Sequence, residues 1–288
     1  MPEIFEIKTR IDGLKSIHNI TYAMQIVTIS RLKRITVQLQ KLKDSLLDSK
    51  KVLGRLLAEN EAIQTAFFEP KLNETLPPAF ILFFSNRGFC GSFNQEILTY
   101  FERWCSAENL PVDDVELLCV GKKAKLAVRR KNARFFAPQK DLFSMVEHAE
   151  LFQIVQDYIS EGRAIYTVQF EFKSIISQRV TMEQFYPPRQ ETFEPYMKLA
   201  APVYIEPDSK TAESKMKDFY FRLKLLKTIQ DSASSEFSQR FLLMKSAVDN
   251  VKSLSEELHV NLNKERQRMI TQEISEITST FKALKKGK

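Results

Sequence analysis

One segment of the 288-residue chain comes close to a ligand loop: SNRGFCGS, residues 85 to 92. It follows the apolar run PPAFILFF and precedes NQEILTYFERWCSAENL, whose apolar residues recur at helical spacing. Strand, turn and helix start in that order are where α/β proteins hold phosphate on backbone amides. A nucleotide loop of the G-x-x-x-x-G-K-[ST] type also needs a lysine to reach the phosphates, and none follows Gly91. Tight turning at Gly88 and Gly91 is the plainer reading.

Cys90 sits beside those glycines, where a helix start can activate a thiol, yet no histidine is near it in sequence. His18, His148 and His259 lie far apart on expected helices, so a catalytic or metal role would need the fold to bring them together. Asp113, Asp114 and Glu116, and Glu256 and Glu257, are expected in a loop and on a helix surface as solvated groups. Cys90, Cys105 and Cys119 lack C-x-x-C spacing, which disfavours zinc and a disulfide framework. No catalytic residue, metal site or cofactor site is expected.

Two basic stretches stand out. Between Asp12 and Asp44 lie Lys15, Arg31, Lys33, Arg34, Lys41 and Lys43 without an acid; between Glu116 and Asp141 lie Lys122, Lys123, Lys125, Arg129, Arg130, Lys131, Arg134 and Lys140. On charge alone either could meet nucleic acid. A solvated helix face in a chain of net charge +7 is the plainer reading. The 22 phenylalanines fall mostly at strand or helix spacing, as a core requires.

The elements that would carry these residues are mainly helical. Only 7 glycines occur, far below the roughly 7% of average usage, and 43% hydrophobic residues rule out disorder. From Ile4 the apolar residues run Ile4, Ile7, Ile11, Leu14, then Leu32, Ile35, Leu39, Leu42, Leu46, Leu53 and Leu56, with a missed beat at Ser49. This predicts a coiled-coil seam. The two runs are offset by two heptads plus four residues, which predicts a stutter across the less regular TYAMQIVTISRLKR. At the other end no Gly or Pro interrupts the chain between Asp208 and Lys286, and Met244, Val248, Val251, Leu254, Leu258, Leu262, Ile270, Ile274, Ile277, Phe281 and Leu284 mark a second long helix.

The middle alternates strand and helix. VELLCV with GKKAKLAVRRKN repeats the strand, turn and helix pattern; EHAELFQIVQDYISEG reads as a helix, and RAIYTVQFEF and ISQRVTMEQFYP as strands. The expected fold class is α/β: a long antiparallel two-helix coiled coil made by the chain ends, with a Rossmann-like α/β domain between. The expected segments are 1–70 (N-terminal coiled-coil helix), 71–207 (α/β domain) and 208–288 (C-terminal coiled-coil helix). A helix from Ser209 to Leu284 would measure roughly 115 Å, against a sphere roughly 50 Å across for a compact chain of this length. The helix ends should therefore pair as a thin rod that needs a sleeve.

Several separated segments together resemble one family. IDGLKSIHNITYAMQIVTISRLKR, SNRGFCGSFN, FEFKSIISQRVTMEQFYP and FLLMKSAVDNVKSLSEELHVNLNKERQRMITQEISEI, in this order, are similar to the γ subunit of F-type ATP synthases. The resemblance implies the rotor shaft of a proton- or sodium-driven synthase, non-catalytic itself, with catalytic sites on partner β subunits. Its implied partners are α and β subunits, the ε subunit and the c-subunit ring, with no nucleic acid and no membrane contact except through partners. It further implies a peripheral place on the cytoplasmic face of a bacterial inner membrane. Carried over by position, Met24, Arg31, Arg34, Arg240, Arg266, Gln267 and Thr271 would meet partner subunits, and Glu206 would lie in the foot. The chain has Tyr22 where the family usually has Lys, Asn86 for Asp, Ser92 for Gly, and Thr28 and Ile29 for Ala. A basic coiled-coil protein that binds nucleic acid is the alternative, and an enzyme using a nucleotide on the α/β domain a third reading.

Overall fold

The computed structural model describes residues 2–59, 61–129, 133–138, 145–198 and 209–286. Helix α1 spans Pro2–Ala58, followed by α2 (Glu61–Phe68), β1 (Ala79–Phe83), α3 (Phe93–Ala107), β2 (Glu116–Val120), α4 (Ala124–Ala127) and β3 (Ala133–Phe136). Then come α5 (Met145–Ser160), β4 (Ile165–Phe172), β5 (Gln178–Tyr186), α6 (Glu194–Met197) and α7 (Ser209–Lys286). The chain forms two compact units, residues 1–28 with 241–288, and residues 29–240. The segments 1–70, 71–207 and 208–288 follow chain order; these units follow contact, and both long helices contribute to each.

The larger unit is built on a five-stranded sheet of order β3-β2-β1-β4-β5. β1 pairs parallel with β2 and β4, β2 parallel with β3, and β4 antiparallel with β5. Because side chains alternate along a strand, β1 faces two cores, which is why PPAFILFF has no polar position. Phe80, Leu82 and Phe84 join Phe93, Ile97, Phe101 and Cys105 of α3; Ala79, Ile81 and Phe83 join α2, α5 and the long helices. On that second face Leu46, Leu53 and Leu57 of α1 and Tyr220, Phe221, Leu225 and Ile229 of α7 are buried. Gly121 lets the end of β2 close on β1: a Cβ there would stand 2.4 Å from the Phe84 carbonyl oxygen, at φ +127°. The second strand-turn-helix repeat is shorter than expected, because Val128 turns extended and buries itself after a single turn of α4.

Within this unit the long helices run antiparallel. Leu32 and Ile35 of α1 pack with Phe237 of α7, while Lys43 further along α1 reaches Asp231, earlier on α7, at 3.7 Å. The missed beat is filled rather than skipped: Ser49 is buried and its hydroxyl donates to the Leu46 carbonyl at 2.8 Å.

The smaller unit pairs the start of α1 with the last part of α7. Ile11, Leu14 and His18 share a groove with Val251, Ser255 and His259. The expected stutter is absent. Thr21 and Thr28 are buried, His18 and Gln25 half-buried, and positions 14, 18, 21, 25, 28, 32 and 35 keep alternating steps of four and three. Threonine occupies this seam because its hydroxyl donates to the carbonyl four residues back, Thr21 to Ile17 at 2.7 Å and Thr28 to Met24 at 2.6 Å, which removes the cost of an unpaired buried donor.

Candidate functional site

The turn after β1 is wired from both ends. The Ser85 amide donates to Asn94 Oδ1 at 2.9 Å, Asn94 Nδ2 donates to Ser85 Oγ at 2.9 Å, and Asn86 Oδ1 accepts from the Lys122 amide at 3.2 Å. Left-handed backbone falls at Phe89 (φ 59°) and Gly91 (φ 60°), not at Gly88. Where a phosphate loop would present its amides to a ligand, the Asn86 amide donates to the Glu236 carboxylate of α7 at 3.3 Å. Arg240, one turn on, holds that carboxylate at 2.5 Å and donates to the carbonyls of Gly88 and Arg87, each at 3.1 Å. Burial pushes the Glu236 carboxyl up, opposed by Arg240 and by the amides of Asn86 and Arg87. The anion position of this turn is filled from inside the chain.

Burial likewise raises the Cys90 thiol, which works against a nucleophilic role, and all three cysteines are buried. Two of the three histidines, far apart in sequence, line one groove of about 320 Å³: His18 and His259, with Lys15, Lys252 and Glu256. Among the described residues no group of three or more His, Cys, Asp or Glu side chains could hold a metal. Asp113, Asp114, Glu256 and Glu257 are exposed, whereas Glu116 is half-buried at the start of β2 and accepts from the Tyr158 hydroxyl at 3.0 Å.

The basic stretches lie mostly on the surface. Lys15, Lys33, Arg34 and Lys41 are exposed and Arg31 half-buried; Lys122, Lys125, Arg129 and Arg134 are exposed, while Arg130, Lys131 and Lys140 lie outside the described residues. Of the positions carried over as partner contacts, Met24 is half-buried, and Arg34, Arg266, Gln267 and Thr271 are exposed. Arg240 is turned inward, only 4% exposed. Glu206 lies outside the described residues.

The end of α7 is the other distinctive surface. Leu262 is buried; past it Ile270, Ile274 and Ile277 stand 55%, 59% and 69% exposed in one row along the helix. Ile20, Ile26 and Val27 of α1 are exposed as well. Apolar rows of this kind mark contact surfaces.

A family model described as ATP synthase matches residues 3–284. The chain belongs to this ATP synthase family. It is 27% identical over 309 residues to the ATP synthase gamma chain of Salinibacter ruber, covering 100% of both chains, and 29% identical over 295 residues to that of Azobacteroides pseudotrichonymphae, covering 99% and 100%. Its fold is similar to a chain in the Euglena gracilis mitochondrial ATP synthase OSCP/F1/c-ring structure, with TM-score 0.67 and 18% identity over 99% of this chain and 96% of that one. A chain of the Tetrahymena thermophila mitochondrial ATP synthase central stalk and c-ring gives TM-score 0.53 and 19% identity over 79% and 99%. Nothing among these ATP synthase relatives supports the nucleic-acid reading of the basic stretches.

What sequence reasoning missed is Glu236. In IQDSASSEFSQR it has the composition of a solvated helix face, and its spacing from Arg240 is that of an ordinary surface ion pair. The only signal was weak: in a 78-residue helix, Ser232, Ser234, Ser235 and Ser238 place small residues where close approach is possible.

Proposed function

We propose that this chain is the central rotor shaft of an ATP synthase, turning with a membrane c ring and cycling the catalytic β subunits of a surrounding head through states of unequal nucleotide affinity. The observation that carries this reading is the exposed row Ile270, Ile274 and Ile277 on a helix of 78 residues, an apolar bearing surface that a surrounding ring would cover. Catalysis then belongs to the β subunits, and this chain acts by differential contact: a shaft whose sides differ can bias neighbouring subunits only by touching each differently. Residues 1–70 and 208–288 serve as the shaft and 71–207 as the foot, meeting the c ring and ε subunit near Glu206. Exposed Arg34, Arg266, Gln267 and Thr271, with Met24 and Arg31, are the contacts offered to the head. An exposed ion pair contributes only about 0–1 kcal/mol, so these side chains steer while shape carries load.

No helix among the described residues is long and apolar enough to cross a membrane. Attachment through partners, peripherally and on the cytoplasmic face of a bacterial inner membrane, completes the reading. Co-expression with candidate α and β subunits tests it: a stable ATP-hydrolysing complex should form only when this chain is present. Full assembly without it, or its exclusion from the complex, would refute the assignment.

A further inference from the structure

The strand order reverses at β1, with β2 and β3 on one side and β4 and β5 on the other. The crevice beyond the carboxyl ends of strands at such a reversal is where open α/β sheets take their ligands. Here the turn leaving β1 meets α7 instead. The Glu236 side chain, 7% exposed, accepts from the Asn86 amide at 3.3 Å, and Arg240, whose side chain is 5% exposed, donates Nε and Nη2 to the carbonyls of Gly88 and Arg87. Arg240 also lies 5.1 Å from the Phe237 ring centre, which fixes its own direction. Asn94 and the Lys122 amide hold the base of the turn to the sheet. The crown is held from α7 through its carbonyls: Arg87 and Gly88 give theirs to Arg240, the Arg87 carbonyl also accepts from Cys90 Sγ at 3.7 Å, and the next residue, Phe89, sits at φ 59° with 68% of its surface exposed. A bulky side chain in left-handed backbone persists only where its surroundings impose it.

We infer that Glu236 and Arg240 are positioning residues that latch α7 into the ligand crevice of the sheet, where an internal carboxylate replaces the bound anion, so that load on the helix passes into the α/β domain through residues 85–91. Two features separate this from ordinary helix packing. The contact is a buried ion pair with backbone partners on both of its ends, which resists sliding along the helix axis as well as separation, because each bond is directional. It also falls on the turn between β1 and α3, so displacement of α7 acts on the central strand of the sheet. The load path rests on the rotor reading; the latch itself does not.

Two measurements separate the latch from the load path. In the first, amide hydrogen exchange is followed in the full chain. Glu236→Ala should speed exchange in peptides covering 85–91 by about tenfold or more, the scale of a lost hydrogen bond to a charged group, with exchange in α3 unchanged. Added formate, which can sit where the carboxylate was, should restore slow exchange, and Arg240→Met should loosen the same peptides without formate rescue. Unchanged exchange at 85–91, an effect spread evenly over α3, or absence of formate rescue would overturn the latch. In the second arm, the variants are assembled with α, β and the membrane sector. Glu236→Ala should lower ion-driven synthesis at least about threefold more than ATP hydrolysis, with Glu236→Gln between it and the unsubstituted chain. Equal losses overturn the load path while leaving the rotor reading intact, whereas failure of the unsubstituted chain to assemble refutes that reading without touching the exchange result.

Discussion

Lys224 carries its charge into the interior of the chain. Its ammonium is buried against β5, donating to the carbonyls of Gln184 and Phe185 at 2.9 and 3.2 Å and standing 3.4 Å from Glu183. Burial lowers it from 10.5 to about 8, against the pull of Glu183. A base depressed on folding binds fewer protons in the native than in the unfolded chain, so the stability it contributes is present above its unfolded value and lost as pH falls through about 8. Urea unfolding read at Trp104, the one tryptophan, which packs on Phe80 and Tyr166, should show the unsubstituted chain gaining about 3 kcal/mol on Lys224→Met between pH 8 and 10.5. A pH-independent difference would contradict this account of Lys224. Lys224, Asp231, Glu236 and Arg240 were illegible in sequence for one reason: a charged residue in a helix announces a solvated face, and only the second layer packed over α7 reverses that. Gly91 was legible as a turn residue because positive φ favours glycine; Phe89, at a similar φ, was not, because its conformation is imposed by partners distant in sequence.

At the scale of elements, periodicity carried most of the information. The strands β1, β4 and β5, helix α5 and both long helices follow from apolar spacing, since burial on one or two faces demands it. The expected stutter failed because only aliphatic residues were counted toward the seam; Thr21 and Thr28 hold it equally well once their hydroxyls bond within the helix. The same periodicity continues past Leu262 of α7, and there it runs along an exposed face that the rotor reading gives to partners. Ile274→Asp tests that distinction. Because Ile274 is 59% exposed, the substitution should change the stability of the chain alone by less than about 0.5 kcal/mol, yet sharply reduce recovery of the complex with α and β subunits. Equal recovery from both chains would show that this row bears on nothing.

For the whole molecule, the α/β class and the long helical ends were readable because they depend on pattern, and the family because its segments keep their order over residues 3–284. The internal filling of the crevice was not readable, since it joins Asn86 to Glu236 across 150 positions of chain. That filling accounts for a glycine-bearing turn in a ligand-loop position within a chain whose proposed work is mechanical. The central claim is that this chain turns inside a ring of catalytic subunits. The most direct measurement fixes the α and β subunits of an assembled complex to a surface, attaches a visible probe to a cysteine placed at Leu126, which is 71% exposed, and follows the probe while ATP is supplied. The account predicts sustained rotation in one direction that stops when ATP is withdrawn; a complex that hydrolyses ATP while the probe only jitters about a fixed angle would contradict it.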